Sequence, residues 1–271
     1  MAIVKGPFQF SGGVRGVSFY TRAGSDQVIM RTKGGPKARR LKVGKEFEVV
    51  RKHQSEWAGC VKFSQGIKYA TYYINKLADF NVSAVWNGLG KNIQKMDTEG
   101  ELGKRSIRFS EFRNELSGFN LNKNFTFNAV LGISPRVEIN KETHSALITL
   151  PRINTANDLL NIRKLPYFRL IFSLGVVSDI HFNPELRKGE YESQLTTYNG
   201  VPVYKQTEWL STQDIIPEMQ QELHVFPDAI ASLTDKSSYI VSMGIEFGEV
   251  GFGGQISGAK RAGAARILLV E

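Results

Sequence analysis

The chain has 271 residues, 41% hydrophobic and 23% charged, with a formal net charge of +9. That balance belongs to a globular protein with room for one large β-domain or two medium units, and it excludes a disordered chain. No apolar run is long enough for a membrane-spanning helix, and the single cysteine, Cys60, excludes an intrachain disulfide and fits a reducing compartment. The charge is lopsided. Residues up to Ala70 hold fourteen of the 35 Lys and Arg but only four of the 26 acids (Asp26, Glu46, Glu48 and Glu56), a local net of +10, which leaves the rest of the chain at −1. Asymmetry of this kind points to a partner rather than to a fold. Met1–Pro7 carries no apolar stretch of signal length, so synthesis in the cytoplasm is expected, with export by another route and a virion origin left open.

In chain order, residues 8–33 alternate as strands do. Phe8-Gln9-Phe10 precedes a Gly12-Gly13 turn signal; in the next run Val17 and Phe19 oppose Ser18, Tyr20 and Arg22; after a turn at Ala23–Asp26, Val28 and Met30 oppose Ile29, Arg31 and Lys33. A ribbon of two or three strands cannot bury both faces alone, so it must pack on this chain or on a neighbour. Gly34-Gly35-Pro36 ends it, and residues 36–45 read as an extended basic linker. From Glu46 the period becomes helical. Phe47, Val50, Trp57, Cys60, Val61, Ile67, Ala70, Ile74 and Leu77 form one apolar face over roughly thirty residues. Gly59 and Gly66, seven apart on that helix, signal close approach of another backbone. A second helix is expected over about 82–93, capped by Asn81 or Ser83, and a short one near Ser110–Leu116. Strands follow at Phe125–Ala129, Ser145–Leu150, Phe168–Val176, Val203–Leu210, Leu223–Phe226, Tyr239–Phe247 and Arg266–Val270.

The expected fold is α+β and mainly β: a β-ribbon arm (1–35), the linker (36–45), a helical hairpin acting as a spacer (46–103) and a β-sandwich (104–271).

Catalytic signatures are missing from this pattern. His53, His144, His181 and His224 are scattered, and Asp179-Ile180-His181, expected at an exposed strand end, supplies two ligands without a third. Cys60, on the apolar helix face, reads as a buried structural thiol. The Gly-rich run Gly248–Lys260 departs from a phosphate loop, because Ala259 stands between the last glycine and the lysine and Arg261 follows; it reads as a flexible β-connection. No catalytic activity, metal or cofactor is expected.

The basic arm is the one constellation. Arg15, Arg22, Arg31, Lys33, Lys37, Arg39, Arg40, Lys42 and Lys45 interleave with Phe19 and Tyr20. Three readings stand: cations that grip nucleic-acid phosphates, charges that keep an intramolecular hairpin soluble, or a ribbon that adds its edge to a neighbouring subunit. The apolar Phe8, Phe10, Val17, Phe19, Val28 and Ile29 favour the last, since phosphate has no use for them. The expected interface thus comprises Phe8, Phe10, Val17, Phe19, Tyr20, Val28, Ile29 and Met30 in a non-enzymatic protein that self-assembles head-to-tail into a filament or other array. The alternative partner is nucleic acid, held by the nine cations of the arm.

The segments Gly13–Tyr20, Arg31–Gly35, Leu116–Asn122 and Gly244–Phe247, with Lys5-Gly6 before them, resemble a family of uncharacterised Bacteroidota proteins defined as a domain of unknown function. The resemblance implies the same order of ribbon, helices and β-domain, and it implies no activity.

Overall fold

The structure is a computed structural model that describes residues 2–4, 11–21, 27–32, 34–186 and 189–271, the first of these segments by its backbone alone. The expected strand Phe8–Phe10, the turn Ala23–Asp26, and Arg22 and Lys33 lie outside the described residues. The chain divides into two compact units, Met1–Arg51 and Lys52–Glu271.

In the first unit the arm is an antiparallel sheet of four strands rather than a ribbon of two or three. They are β1 (Ala2–Val4), β2 (Gly12–Val14), β3 (Val17–Thr21) and β4 (Val28–Thr32), in the order β1-β4-β3-β2. The expected extended linker is instead helical. Residues Ala38–Val43 coil into α1, where Leu41 N donates to Lys37 O at 3.1 Å, and Arg40 Nε reaches forward to Glu46 Oε1 at 2.7 Å. One acid and a turn of backbone bonds coil this basic segment.

Two helices lead into the second unit, α2 (Glu48–Ala70) and α3 (Val82–Met96), joined by a 3-10 turn at Asn75–Leu77. Asn81 occupies the N-cap position of α3 without a side-chain bond. The inward face of α2 differs from the expected one: Glu56 is buried there, while Trp57 is turned outward and is 48% exposed. Two 3-10 turns, Phe109–Glu111 and Arg113–Glu115, stand where a short helix was expected. Residues Phe127–Val130 form a single helical turn, α4, rather than a strand, because Thr126 takes the N-cap position and Asn120 Oδ1 accepts from Phe127 N at 3.0 Å.

The β-structure comprises β5 (Arg136–Asn140), β6 (Ser145–Leu150), β7 (Ile153–Asn154), β8 (Tyr167–Ser178), β9 (Ile180–Asn183), β10 (Glu190–Ser193), β11 (Pro202–Gln206), β12 (Leu210–Ser211), β13 (Ile215–Ile216), β14 (Met219–His224), β15 (Ser237–Val250) and β16 (Ile256–Val270), with one helical turn, α5, at Thr155–Asp158. The main sheet runs β11-β8-β15-β16, with β12 also on β8; a second sheet runs β14-β6-β5. Ala146, Ile148, Leu150 and Leu223 of the second sheet share one core with Phe168, Leu170, Phe172 and Leu174 of β8 and with Val241, Met243 and Ile245 of β15. The fold is thus α+β and mainly β, with two sheets enclosing a common core.

The other face of the main sheet is covered as well. There β8 and β15 present Ser173, Gly175, Ser242 and Gly244, all in the alternate register. A Cβ on Gly175 would lie 2.7 Å from the Cα of Ala70, and one on Gly244 would lie 2.7 Å from Leu77 Cδ1. Small residues on this face let α2 and its following turn lie against the sheet. Cys60, Phe63, Ile67, Ile74 and Trp86 share a second core with Ile171, Ile240, Ala265 and Ile267. The helices expected as a spacer are therefore the third layer of the unit. Gly59 and Gly66 both mark close approaches, but the expected approach of another backbone occurs only at Gly66, the neighbour of Gly59 being a side-chain ring. A Cβ on Gly59 would meet the Tyr191 ring at 2.8 Å, and the backbone at Gly200 comes against Gly66. Among the described residues no helix is long and apolar enough to cross a membrane.

Candidate functional site

The residues of the arm divide by exposure. Val28 and Ile29, expected as exposed interface residues on opposite faces of the ribbon, are buried, whereas Val17, Phe19, Tyr20 and Met30 are half-buried. The sheet has two edge strands, β1 and β2, and of these β2 is the one whose side chains are described. Gly12, Gly13 and Val14 are exposed, Val14 by 64%, and β2 pairs only with β3 among the described residues. Arg15 and Gly16 turn the chain between these strands, Arg15 at φ 41° and Gly16 at φ 85°. Phe8 and Phe10 fall outside the described residues, as do Arg22 and Lys33 of the cationic set.

The remaining cations do not form one cluster of equal character. Arg31 donates to Ser18 Oγ at 3.4 Å and sits 5.6 Å from the centre of the Tyr20 ring. Arg40 is paired with Glu46, whose carboxyl it holds below the usual range through their hydrogen bond. Arg15, Lys37, Arg39, Lys42 and Lys45 are exposed.

In the second unit the densest polar cluster surrounds Glu56. Its carboxylate is fully buried and accepts from Arg105 Nε at 2.6 Å, Arg105 Nη2 at 2.8 Å, Lys91 Nζ at 2.5 Å and Gly103 N at 3.0 Å. Burial alone would raise its pKa, but the hydrogen bonds from Arg105, Lys91 and the Gly103 amide outweigh burial and hold it at about 2. Gln94 ties the node together, donating to Glu56 O at 3.2 Å and to Arg105 O at 3.0 Å. A carboxylate offers about four acceptor positions, and here all are taken. The node clamps α2, α3 and the 103–105 segment, and leaves Glu56 no lone pair for a substrate proton. Periodicity hid it, because Glu56 occupies a position beside Trp57 that a hydropathy pattern assigns to the tryptophan.

Asp179 is buried rather than at an exposed strand end. Ser110 donates to it twice, from N and from Oγ, both at 2.8 Å, and burial raises its pKa. His181 turns to Glu192, with Nε2 3.2 Å from Oε1. Among the described residues no group of three His, Cys, Asp or Glu is arranged to hold a metal. Cys60 is fully buried, and burial pushes its thiol up to about 11, far from the thiolate a nucleophile requires.

A groove along the C-terminal half of α2 was not legible in the sequence. Two hollows of about 460 and 450 Å³ share Tyr72 and Tyr73. Tyr69 and Tyr72 are 54% and 62% exposed, and Tyr73 stacks on Tyr204 with ring centres 3.5 Å apart. Lys62, Lys68 and Lys76 line the hollows, Lys76 already paired with Glu246 at 2.7 Å, and among the described residues no carboxylate lines them. Tyr69-Ala70-Thr71-Tyr72-Tyr73 was visible as a run, but its pairing with a strand 131 positions further on was not.

No protein-family model, curated protein or solved structure matches the chain.

Proposed function

We propose that this is a structural protein whose copies assemble through the N-terminal sheet, β2 adding the edge that is unpaired among the described residues to a sheet of the next copy. The observation that carries this is the exposed β2 edge. Gly12 and Gly13 have no side chains to screen its backbone, and Val14 adds an exposed apolar contact. An unprotected edge strand is a template for pairing with another chain. The contact joins unlike surfaces, so it propagates unless its rotation happens to close a ring. Val17, Phe19, Tyr20 and Met30 supply half-buried area beside that edge, and Val28 and Ile29 stiffen the sheet from within. Negative-stain electron microscopy of the full chain is expected to display filaments, rings or another regular array, and the chain lacking residues 1–35 is expected to remain as single particles. The same particle state from both chains would overturn the reading.

The second reading, nucleic-acid binding, is favoured by two surfaces of matching chemistry. They are the exposed cations at Arg15, Lys37, Arg39, Lys42 and Lys45 and the tyrosine groove lined by lysines. Cations would release counterions from phosphate while tyrosine faces stack on bases. On this reading labelled single strands bind at roughly 50 mM salt and are released steeply as salt rises, and substitution of Lys37, Arg39, Arg40 and Lys42 by Gln weakens binding at least tenfold. No retention of DNA or RNA at that salt sinks it.

A further inference from the structure

The most exposed large apolar side chain of the described residues is Phe252, which is fully exposed at the apex of the β15–β16 hairpin. Pairing of β15 with β8 ends at Gly248↔Tyr167, and beyond it Glu249↔Ser257 and Val250↔Ile256 join only β15 and β16. The finger so formed is closed by an ordered turn. Gly251 N donates to Gln255 O at 2.8 Å, and Gly253 and Gly254 adopt φ of 82° and 80° in open space. Val250, 54% exposed, and the exposed Glu249 flank the phenylalanine. A phenylalanine held out into water on a fixed turn has no role in this chain's own core.

At the root of the same hairpin lies a small cleft of about 120 Å³. Phe125, Leu160 and Ile162, each roughly half exposed, form its walls over a buried floor of Val130, Leu165 and Phe247. A bulge in β16 shapes its rim. Between the pairs Glu246↔Gly263 and Gly248↔Gly258, β16 carries four residues against one on β15. Ala259 and Ala262 turn inward, while Lys260 and Arg261 turn out, Arg261 at φ 55°. Bulges re-aim side chains, and a non-glycine residue in the left-handed region is retained where the surroundings impose it. Arg163 braces the bulge, donating to Lys260 O at 2.9 Å. The rim of the cleft is thus cationic at Arg163 and Arg261, and the finger beside Phe252 carries Glu249.

We propose that the cleft is the receptor for Phe252 of a second copy. The aromatic ring would seat on Leu160, Ile162 and Phe125, and Glu249 would face Arg163 and Arg261 across the contact. Finger and cleft belong to one hairpin, so a two-fold axis between copies satisfies both insertions at once. An aromatic anchor in an apolar pocket with complementary charge at its rim is the usual anatomy of the strongest interface positions. This rests on the assembly reading only in taking the partner to be another copy; it adds a contact independent of the arm.

The test is disulfide trapping in the full chain, where the buried Cys60 gives a clean background. Phe252→Cys and Ile162→Cys variants are mixed and oxidised. A mixed disulfide dimer is expected, with neither variant cross-linking alone and Cys60 unlabelled by maleimide in both. Glu249→Arg should cut the cross-linking rate at least tenfold, and Arg261→Glu on the partner should restore it. Absence of the mixed dimer at concentrations where the full chain forms arrays in the microscope overturns this contact and leaves the arm reading standing. A mixed dimer without arrays does the reverse. Tip-to-tip disulfides from Phe252→Cys alone, or flotation with phosphatidylcholine–phosphatidylglycerol vesicles that Phe252→Ser abolishes while no mixed dimer forms, would also overturn it, the latter in favour of a lipid surface.

Discussion

Replacing Glu56 by Gln is expected to lower the unfolding free energy by about 3–5 kcal/mol, the usual cost of breaking a buried ion pair from one side. The amide preserves the shape, but Arg105 and Lys91, whose side chains are only 18% and 21% exposed, are left as enclosed cations without a counter-charge. Urea titration should move the midpoint and leave the slope unchanged. The acid limb carries a second signature. The carboxyl is depressed in the folded state from its ordinary 4.5 to about 2, so its contribution is fully present above 4.5 and drains away as the pH falls towards 2. A shift of that size corresponds to ~3 kcal/mol. The variant should accordingly lose less stability than the parent chain between those pH values. A deficit below about 1 kcal/mol at neutral pH would mean that water or another group satisfies the two cations, and the clamp would lose its standing.

Gly200→Ala should be almost as damaging, for a steric reason. Gly200 sits at φ 80°, and a Cβ there would stand 2.1 Å from the carbonyl oxygen of Gly66 in the C-terminal part of α2. Neither backbone can give way without lifting the helix from the sheet, so a loss of about 3 kcal/mol or more is expected. Gly253 is the matched control. Its φ is 82° but no atom lies within 4 Å of the added carbon, so Gly253→Ala should cost only about 1 kcal/mol. Thermal melts of the two variants decide the matter. Equal losses would assign the whole effect to backbone conformation and none to the helix contact.

The long central strands were legible because Phe168–Val176 and Tyr239–Phe247 alternate over nine residues each. Their second covered face was harder to read. Ser173, Gly175, Ser242 and Gly244 have the composition of a solvated face, and only the position of α2 reveals that they are small in order to be close to it. Phe125–Ala129 failed for the opposite reason: five residues are too few to separate a period of two from one helical turn, and the deciding bond comes from Asn120. Gly59 and Gly66 were informative because a glycine inside a helix carries a cost that needs a cause. The candidate surfaces were legible in part. The cations of the arm were plain in the sequence, whereas the stacking of Tyr73 on Tyr204 and the projection of Phe252 depend on pairings between distant segments. Phe252 was hidden within a glycine-rich run that composition describes only as a connection.

The double coverage of the main sheet also governs how the chain is made. β8 and β15 are adjacent in the sheet but about sixty residues apart in sequence, and β15 carries no charge from Ser237 to Ile245. Contacts of such separation form slowly, and uncharged, β-prone segments are those that associate between molecules while unpaired. During synthesis β8 therefore emerges well before the strand that shields it. Glu246, which Arg169 and Lys76 neutralise in the finished fold, is the first of the two charges in β15 and acts there as a gatekeeper against misassociation. The contest between folding and aggregation is set in the interval between translation of Ser178 and translation of Val250.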